Sequence, residues 1–371
     1  GAMRRKKTVL ALVILVILAA AGVVIGILYV RGHKEPEKSI VTVEEEPEPV
    51  ADPHAGQARS LLTGEWIDAS LVRNRPIAIM MEDTKAALPL YGLNSAGVVY
   101  EAPVEGGITR LVAIMENYGD LERIGNVRSC RPYYVYIASE YDAVYVHYGQ
   151  SVQGLEVLNT GIVDNLSGLD GSVESTVFFR TSDRKSPHNA YASGQGIIAG
   201  IAKKGYDTTY AEDYSGHWIF AADDSPVTLE GGADAAVIKP YYPYNKPYFV
   251  YNKDTGLYER FQFGEEDIDA VDNSQVYAKN IIFQFVPSSI YSGTQYLNIP
   301  LNGSGTGKFF TNGKMVDITW KKNSNSDITR YYDAAGNEIV LNPGKTWVCL
   351  IQNSYDDRSE IYATVEEFEA Q

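Results

Sequence analysis

The chain is 371 residues long, carries a formal net charge of −15, and holds two cysteines and five histidines. With no basic stretch beyond its amino terminus to neutralise phosphates, that balance excludes nucleic acid as a partner and argues against close contact with anionic lipid. Cys130 and Cys349 are either one disulfide or two buried thiols, and their spacing fixes neither reading.

Gly1-Ala2 reads as a cloning scar ahead of Met3, and residues 1–7 end in the basic cluster Arg4-Arg5-Lys6-Lys7. An uncharged run follows over residues 8–30. As a helix rising about 1.5 Å per residue it spans roughly 34 Å, enough for a bilayer core. Lipid offers no partner for backbone N–H and C=O groups, so a helix is the state expected of it. The cations before it favour a cytoplasmic amino terminus and place everything after Val30 outside. A cleaved signal peptide is the competing reading, because Ala19-Ala20-Ala21-Gly22 offers small residues for a peptidase. The apolar run continues past that point to Val30, longer than a secretory core needs, and no Cys follows it for lipid attachment. A single-pass signal anchor in the cell membrane is therefore expected. Residues 31–59, with Glu44-Glu45-Glu46-Pro47-Glu48-Pro49, cannot bury enough apolar surface to offset their ordering entropy. They read as an extended, disordered acidic linker.

Residues 60–225 alternate strand-length apolar runs with helix-like stretches, the grammar of an α/β domain with a mixed sheet. Pro76 to Met81, Val98 to Ala102, Leu111 to Glu116, Ala143 to Tyr148 and Val177 to Arg180 read as strands. Pro132 to Glu140 reads as a helix capped by Ser129, with Pro132 in its first turn. Further helices are expected from Ser151 to Asn159 and from Ala190 to Lys204, the last stopped by Gly205. Residues 226–371 change character and read as a β-rich carboxy-terminal domain. Asn312-Gly313 is a hairpin turn, since both central positions need positive φ, with Lys308-Phe309-Phe310 and Val316 to Trp320 as its arms.

Recognisable catalytic motifs are absent. Gly303-Ser304-Gly305-Thr306-Gly307-Lys308 departs from a phosphate loop at Asn302 and Phe309 and reads as a glycine-rich turn. The histidines lack metal spacing, so neither a metal nor a cofactor is expected. What remains is positional. Three strand-to-helix turns carry clustered polar residues: Arg128-Ser129-Cys130-Arg131, His147 to Ser151, and Arg180 to His188. Helix amino termini seat anions, and ligands in open α/β sheets settle beyond the carboxyl ends of the strands. If the strands are parallel, the last two turns share one edge, and Glu101 and Glu105 can face the same place. Each residue also has a plainer role: Ser129 as a cap, Arg128 and Arg131 as partners of surface carboxylates, His147 as a structural histidine. Cys130 at a helix start, with His147 as base, is a weak thiol-nucleophile arrangement because no third group orients it.

Arg75 to Glu82, Tyr100-Glu101, Glu105-Gly106-Gly107-Ile108-Thr109-Arg110, Val127-Arg128-Ser129 and Arg131-Pro132-Tyr133-Tyr134 together resemble the YerB-like family. His147 to Ser151, Ser186-Pro187-His188-Asn189, Asn280-Ile281-Ile282, Trp320-Lys321-Lys322 and Leu341 to Trp347 continue the resemblance in order. It implies a bacterial cell-envelope protein, often a lipoprotein, built of two domains of unknown function. It hands over no catalytic residue. The family's polar positions map onto Glu101, Glu105, Arg110, Arg128, Arg131, His147 and His188. The chain departs from the pattern by lacking a lipoprotein Cys and by carrying Cys130 where a small residue is usual.

The leading expectation is an extracytoplasmic envelope protein whose first-domain cleft binds an anionic ligand or another envelope protein. Its candidate binding residues are Glu101, Glu105, Arg110, Arg128, Ser129, Arg131, His147, Ser151, Arg180 and His188. The alternative is a hydrolase or transferase acting on an envelope polymer, with Glu101 or Glu105 as base or nucleophile and His147 as acid. A third is a scaffold that docks a partner through an exposed patch at Tyr241-Tyr242-Pro243-Tyr244.

Overall fold

The computed structural model describes residues 2–31 and 51–371. They fall into two units, Gly1–Pro53 and His54–Gln371. The first contains one helix, α1 (Ala2–Arg31). Its window Leu10–Ile27 is long and apolar enough to cross a bilayer, and the protein buries none of it. Most of the expected linker, residues 32–50, lies outside the described residues. Its last part does not remain unpaired: Gln57–Arg59 is a strand antiparallel to Trp66–Asp68, and the His54 ring stacks on Trp66 at 3.9 Å.

In the second unit, apolar β-branched runs build a large mixed sheet. Its strands are β1 (Ile77–Glu82), β2 (Val98–Pro103), β3 (Thr109–Met115), β4 (Val144–His147) and β5 (Asn165–Ser167). They continue with β6 (Ala233–Asp234), β7 (Asn280–Val286), β8 (Gly303–Thr311), β9 (Lys314–Lys322), β10 (Arg330–Tyr332) and β11 (Thr346–Gln352). The spatial order is β6-β9-β8-β7-β11-β2-β3-β1-β4-β5, with β10 pairing β9. β1, β2, β3 and β7 are buried at every residue, as strands with apolar layers on both faces must be. Met81, Val99, Leu111, Val146 and Trp347 belong to one layer. Met80, Tyr100, Val112, Tyr145 and Trp320 belong to the other, where the helix α2 (Pro132–Glu140) packs through Tyr134 and Ile137.

The expected mixed sheet is therefore present, but it is not confined to residues 60–225. β2 lies parallel to β11, Val98–Glu101 against Thr346–Cys349, so residues from the expected carboxy-terminal domain complete it. Helices are few. The remaining β structure includes an antiparallel sheet containing Val237–Lys239, Tyr248–Asn252, Leu257–Gln262 and Glu360–Tyr362.

Several local expectations shift. The helix expected from Ala190 is α4 (Gly194–Lys204), reached through α3 (Val152–Leu158) and a one-turn helix Glu174–Val177. Ala190–Ala192 is instead a strand antiparallel to Phe178–Arg180. Ser193 caps α4, and Gly205 ends it at φ +69°. Ser129 is not a cap: α2 begins at Pro132 with Arg131 at the cap position and no side-chain capping bond. The glycine-rich segment at 303–308 is not a turn but the start of β8, where a Cβ at Gly307 would sit 2.2 Å from Phe283 O. The neighbouring strand, not a phosphate, demands glycine there. The Asn312-Gly313 hairpin stands, with Thr311 opposite Lys314 and φ of +55° and +71°.

Candidate functional site

The carboxyl ends of β1, β2, β4 and β5 share one edge of the sheet with the amino end of antiparallel β3. Side chains alternate across a strand, so this edge has two chemically separate faces. Thr109, Glu101 and, just past β1, Asp83 are joined on one face: Thr109 Oγ1 lies 2.9 Å from Asp83 and 3.1 Å from Glu101. Glu82, Arg110 and His147 carry the opposite parity.

Glu101 therefore does not join the charged groups on the other face. It is fully buried, 3.1 Å from Arg260 Nη2, and accepts from Asn245 at 3.0 Å. His147 is also fully buried, with Nδ1 donating to Gly149 O at 2.9 Å and Nε2 3.0 Å from the Asn165 amide. Burial pushes its pKa down despite those bonds, so it is a neutral structural histidine. Glu101 and His147 occupy opposite faces of the sheet, so that pair is not assembled, and the other carboxylate invoked for catalysis, Glu105, is bonded to Arg131. Ser151 is likewise structural: its Oγ accepts from Gly154 N at 3.0 Å and caps α3.

The turns at 180–188 and 147–151 do not share a sheet edge through parallel strands, since Phe178–Arg180 belongs to a separate antiparallel sheet. They meet by a different route. The segment 127–130 runs along the end of β1, with Arg128 N bonded to Met80 O and Tyr148 N to Arg128 O. Ser129 Oγ donates to Tyr148 O at 3.2 Å. Gly149, at φ +91°, sits so near that a Cβ would lie 2.9 Å from Ser129 Oγ. The positive φ together with this close contact favours glycine there.

On this frame the charged groups gather around Glu82. His188 Nδ1 lies 2.9 and 3.0 Å from its two oxygens, Thr84 Oγ1 donates at 2.7 Å, and Arg128 Nε is 3.6 Å away. Arg128 Nη1 also reaches Pro187 O at 3.5 Å. Arg110, opposite Glu82 in the β1–β3 register, is buried and donates to Ser129 O at 3.1 Å. Among the described residues it forms no ion pair. Burial, then the charges of Arg131 and Arg128, lower its pKa against the opposing pull of Tyr134 and Glu105. Arg131 is clamped by Glu105, whose oxygens face Nε at 3.2 Å and Nη2, and its guanidinium lies 5.0 Å over the Tyr296 ring. Burial alone would raise the Glu105 carboxyl, but the bond and charge of Arg131 hold it below the ordinary value. Arg180 forms the rim, 4.9 Å over the Tyr148 ring and bonded to Asn189 at 2.9 Å.

Arg110, Arg128, Ser129, Arg131, Arg180, His188 and Glu105 are thus brought together, whereas Glu101, His147 and Ser151 are not. Sequence reasoning missed Glu82, the hub. Its one signal was a lone carboxylate closing the buried run Ile77-Ala78-Ile79-Met80-Met81. Cys130 is buried, unbonded and pushed up to about 12 by burial, and Cys349 is also a free buried thiol. No thiolate chemistry follows from either. The aromatic patch is likewise broken, since Tyr242 is buried with its hydroxyl donating to Leu350 O at 2.8 Å and Glu101 O at 3.0 Å.

Residues 62–207 match the amino-terminal domain, and residues 237–348 the carboxy-terminal domain, of a protein of unknown function, DUF3048. YerB of Bacillus subtilis (strain 168), named as a proposed lipoprotein, is 28% identical over 304 residues, covering 80% of this chain and 87% of its own. A crystal structure of YerB from Bacillus subtilis superposes with a TM-score of 0.71 at 27% identity, covering 82% of this chain and 99% of that one.

Proposed function

The chain belongs to the DUF3048 family of YerB-like proteins, and from that premise we propose that it is a membrane-anchored envelope protein that seats an anionic group on its arginine cluster. The helix α1 is the anchor in this reading, with Arg4 to Lys7 on the cytoplasmic side and His54–Gln371 outside. One observation supports the anion seat above others: Arg110 is buried beside Arg128 and Arg131 without a carboxylate of its own. Three guanidiniums against the carboxylates of Glu82 and Glu105 leave positive charge in a chain whose formal net charge is −15. Buried like charges are costly, and an oxyanion such as phosphate or carboxylate relieves the cost by presenting two oxygens to paired N–H donors. A phosphate or carboxylate of wall material has that chemistry.

Titration calorimetry of the full-length protein in detergent with inorganic phosphate tests the seat. Arg110→Gln and Arg128→Gln are each expected to weaken binding about tenfold or more, the cost of one charge-assisted hydrogen bond. Binding that neither substitution changes would remove the arginine cluster as the seat.

A further inference from the structure

The histidine beside the arginines has an arrangement that anion binding alone does not require. His188 Nδ1 lies against both oxygens of Glu82, at 2.9 and 3.0 Å. Glu82 is itself fixed: it is 2% exposed, accepts from Thr84 Oγ1 at 2.7 Å, and its backbone N–H is bonded to Asn126 O at 3.0 Å. Opposite a carboxylate the ring nitrogen must be the donor, so the neutral imidazole keeps its lone pair on Nε2. That nitrogen has no partner among the described residues, and the side chain is 27% exposed. His147 and His217 are closed off in the core at 0% and 1% exposure, so neither can meet a ligand.

We infer that His188 is a general base oriented by Glu82, and that the cleft hydrolyses a phosphodiester rather than only holding it. The inference rests on the anion seat proposed above. Arg128 and His188 lean on the same carboxylate, which in this inference sets a phosphate held by Arg128 and Arg110 beside the imidazole. A water molecule gives a proton to Nε2 while its oxygen bonds to phosphorus. The P–O bond to the leaving alcohol breaks, the departing oxygen takes one proton from solvent, and the imidazolium gives its proton back to solvent. One water and one diester become one phosphomonoester and one alcohol, and His188 ends neutral. The guanidiniums offset the charge that gathers on the non-bridging oxygens. Glu82 is a positioning residue: it fixes the tautomer and steadies the imidazolium.

The test uses the full-length protein in detergent, bis(4-nitrophenyl) phosphate as substrate and inorganic phosphate as binding probe. Wild type should release 4-nitrophenol faster than buffer. His188→Gln should lose about a hundredfold or more of that rate while still binding phosphate. Glu82→Gln should slow the reaction and move the acid limb of its pH profile, which a purely structural role would leave in place. Diethyl pyrocarbonate, which modifies exposed imidazole, should abolish turnover of the unsubstituted protein, with phosphate protecting, so a misfolded variant does not decide the matter. Phosphate binding without nitrophenol release, or full rate in His188→Gln, overturns the base and leaves the seat standing. Absence of phosphate binding overturns both.

Discussion

Asp83 and Glu101 approach one guanidinium, Arg260 Nη2, at 3.3 and 3.1 Å, and Asp267 bonds to Nη1 of the same group. All four side chains are buried. A single cation cannot neutralise three carboxylates, and low-dielectric surroundings do not sustain the excess. Burial raises the Asp83 carboxyl well above its ordinary value, against the pull of Arg260 and with a push from Glu101. Burial raises the Asp267 carboxyl as well, but Asp267 lies closer to Arg260 than Asp83 does, so Asp83 is the better seat for a proton in the folded state. A folded pKa above the unfolded one gives stability that is complete below about pH 4 and is lost as pH rises. Asp83→Asn keeps the shape and supplies an amide donor without a proton to lose. It is expected to raise stability by about 1–2 kcal/mol at pH 7 and by almost nothing near pH 4. Urea unfolding at both values measures this, and a variant less stable than wild type at pH 7 would show that Asp83 is ionised in the fold.

Among elements, those with local causes were legible in the sequence. Asn312-Gly313 dictates its own turn, and Gly205 ends α4. What the sequence withheld is pairing at a distance. Nothing in Val98–Glu101 announces Thr346–Cys349 as its parallel neighbour, and nothing in Arg260 announces Asp83. The same blindness misplaced Glu101 and His147, because strand parity assigns a face only once the sheet is known. The helix α1 is the opposite case, since its apolar length alone makes it long enough to cross a bilayer, with Leu15 at 72% and Ile25 at 66% exposure. If it anchors the protein as proposed, protease added to intact cells digests a carboxy-terminal tag while an amino-terminal tag survives until lysis. A protected carboxy-terminal tag would contradict the topology, and a tag-free product in the medium would replace the anchor with a cleaved signal.

At the scale of the whole folded unit, Glu140 ties together segments that are remote in sequence. Sitting at the end of α2, it accepts from His217 Nε2 at 2.7 Å, Lys322 Nζ at 2.6 Å, Thr329 Oγ1 at 2.8 Å and Thr329 N at 3.1 Å. Burial works to raise its carboxyl, but the His217 bond and the Lys322 charge outweigh it and bring the pKa from 4.5 to about 2. Burial lowers the pKa of His217 as well, even against Glu140, so the charge pair is Glu140 with Lys322 and the imidazole is a neutral donor. Its unpartnered Nδ1 fits that state, because the neutral ring need not donate from both nitrogens. Both depressions act in one direction. Stability is full above the unfolded values, begins to fall as pH drops below about 6.5 through His217, and falls further between about 4.5 and 2 through Glu140. The Glu140 share is on the order of 3 kcal/mol. Glu140→Gln strands the Lys322 ammonium in the core and should cost about 3–5 kcal/mol at pH 7. Its loss relative to wild type should then shrink as pH is lowered toward 3, where wild type is surrendering the same interaction. Adding Lys322→Met should recover part of the neutral-pH loss by removing the stranded charge. Denaturant unfolding at pH 7, 5 and 3 gives all three comparisons, and parallel curves for wild type and Glu140→Gln would mean that the carboxylate is not what joins these segments.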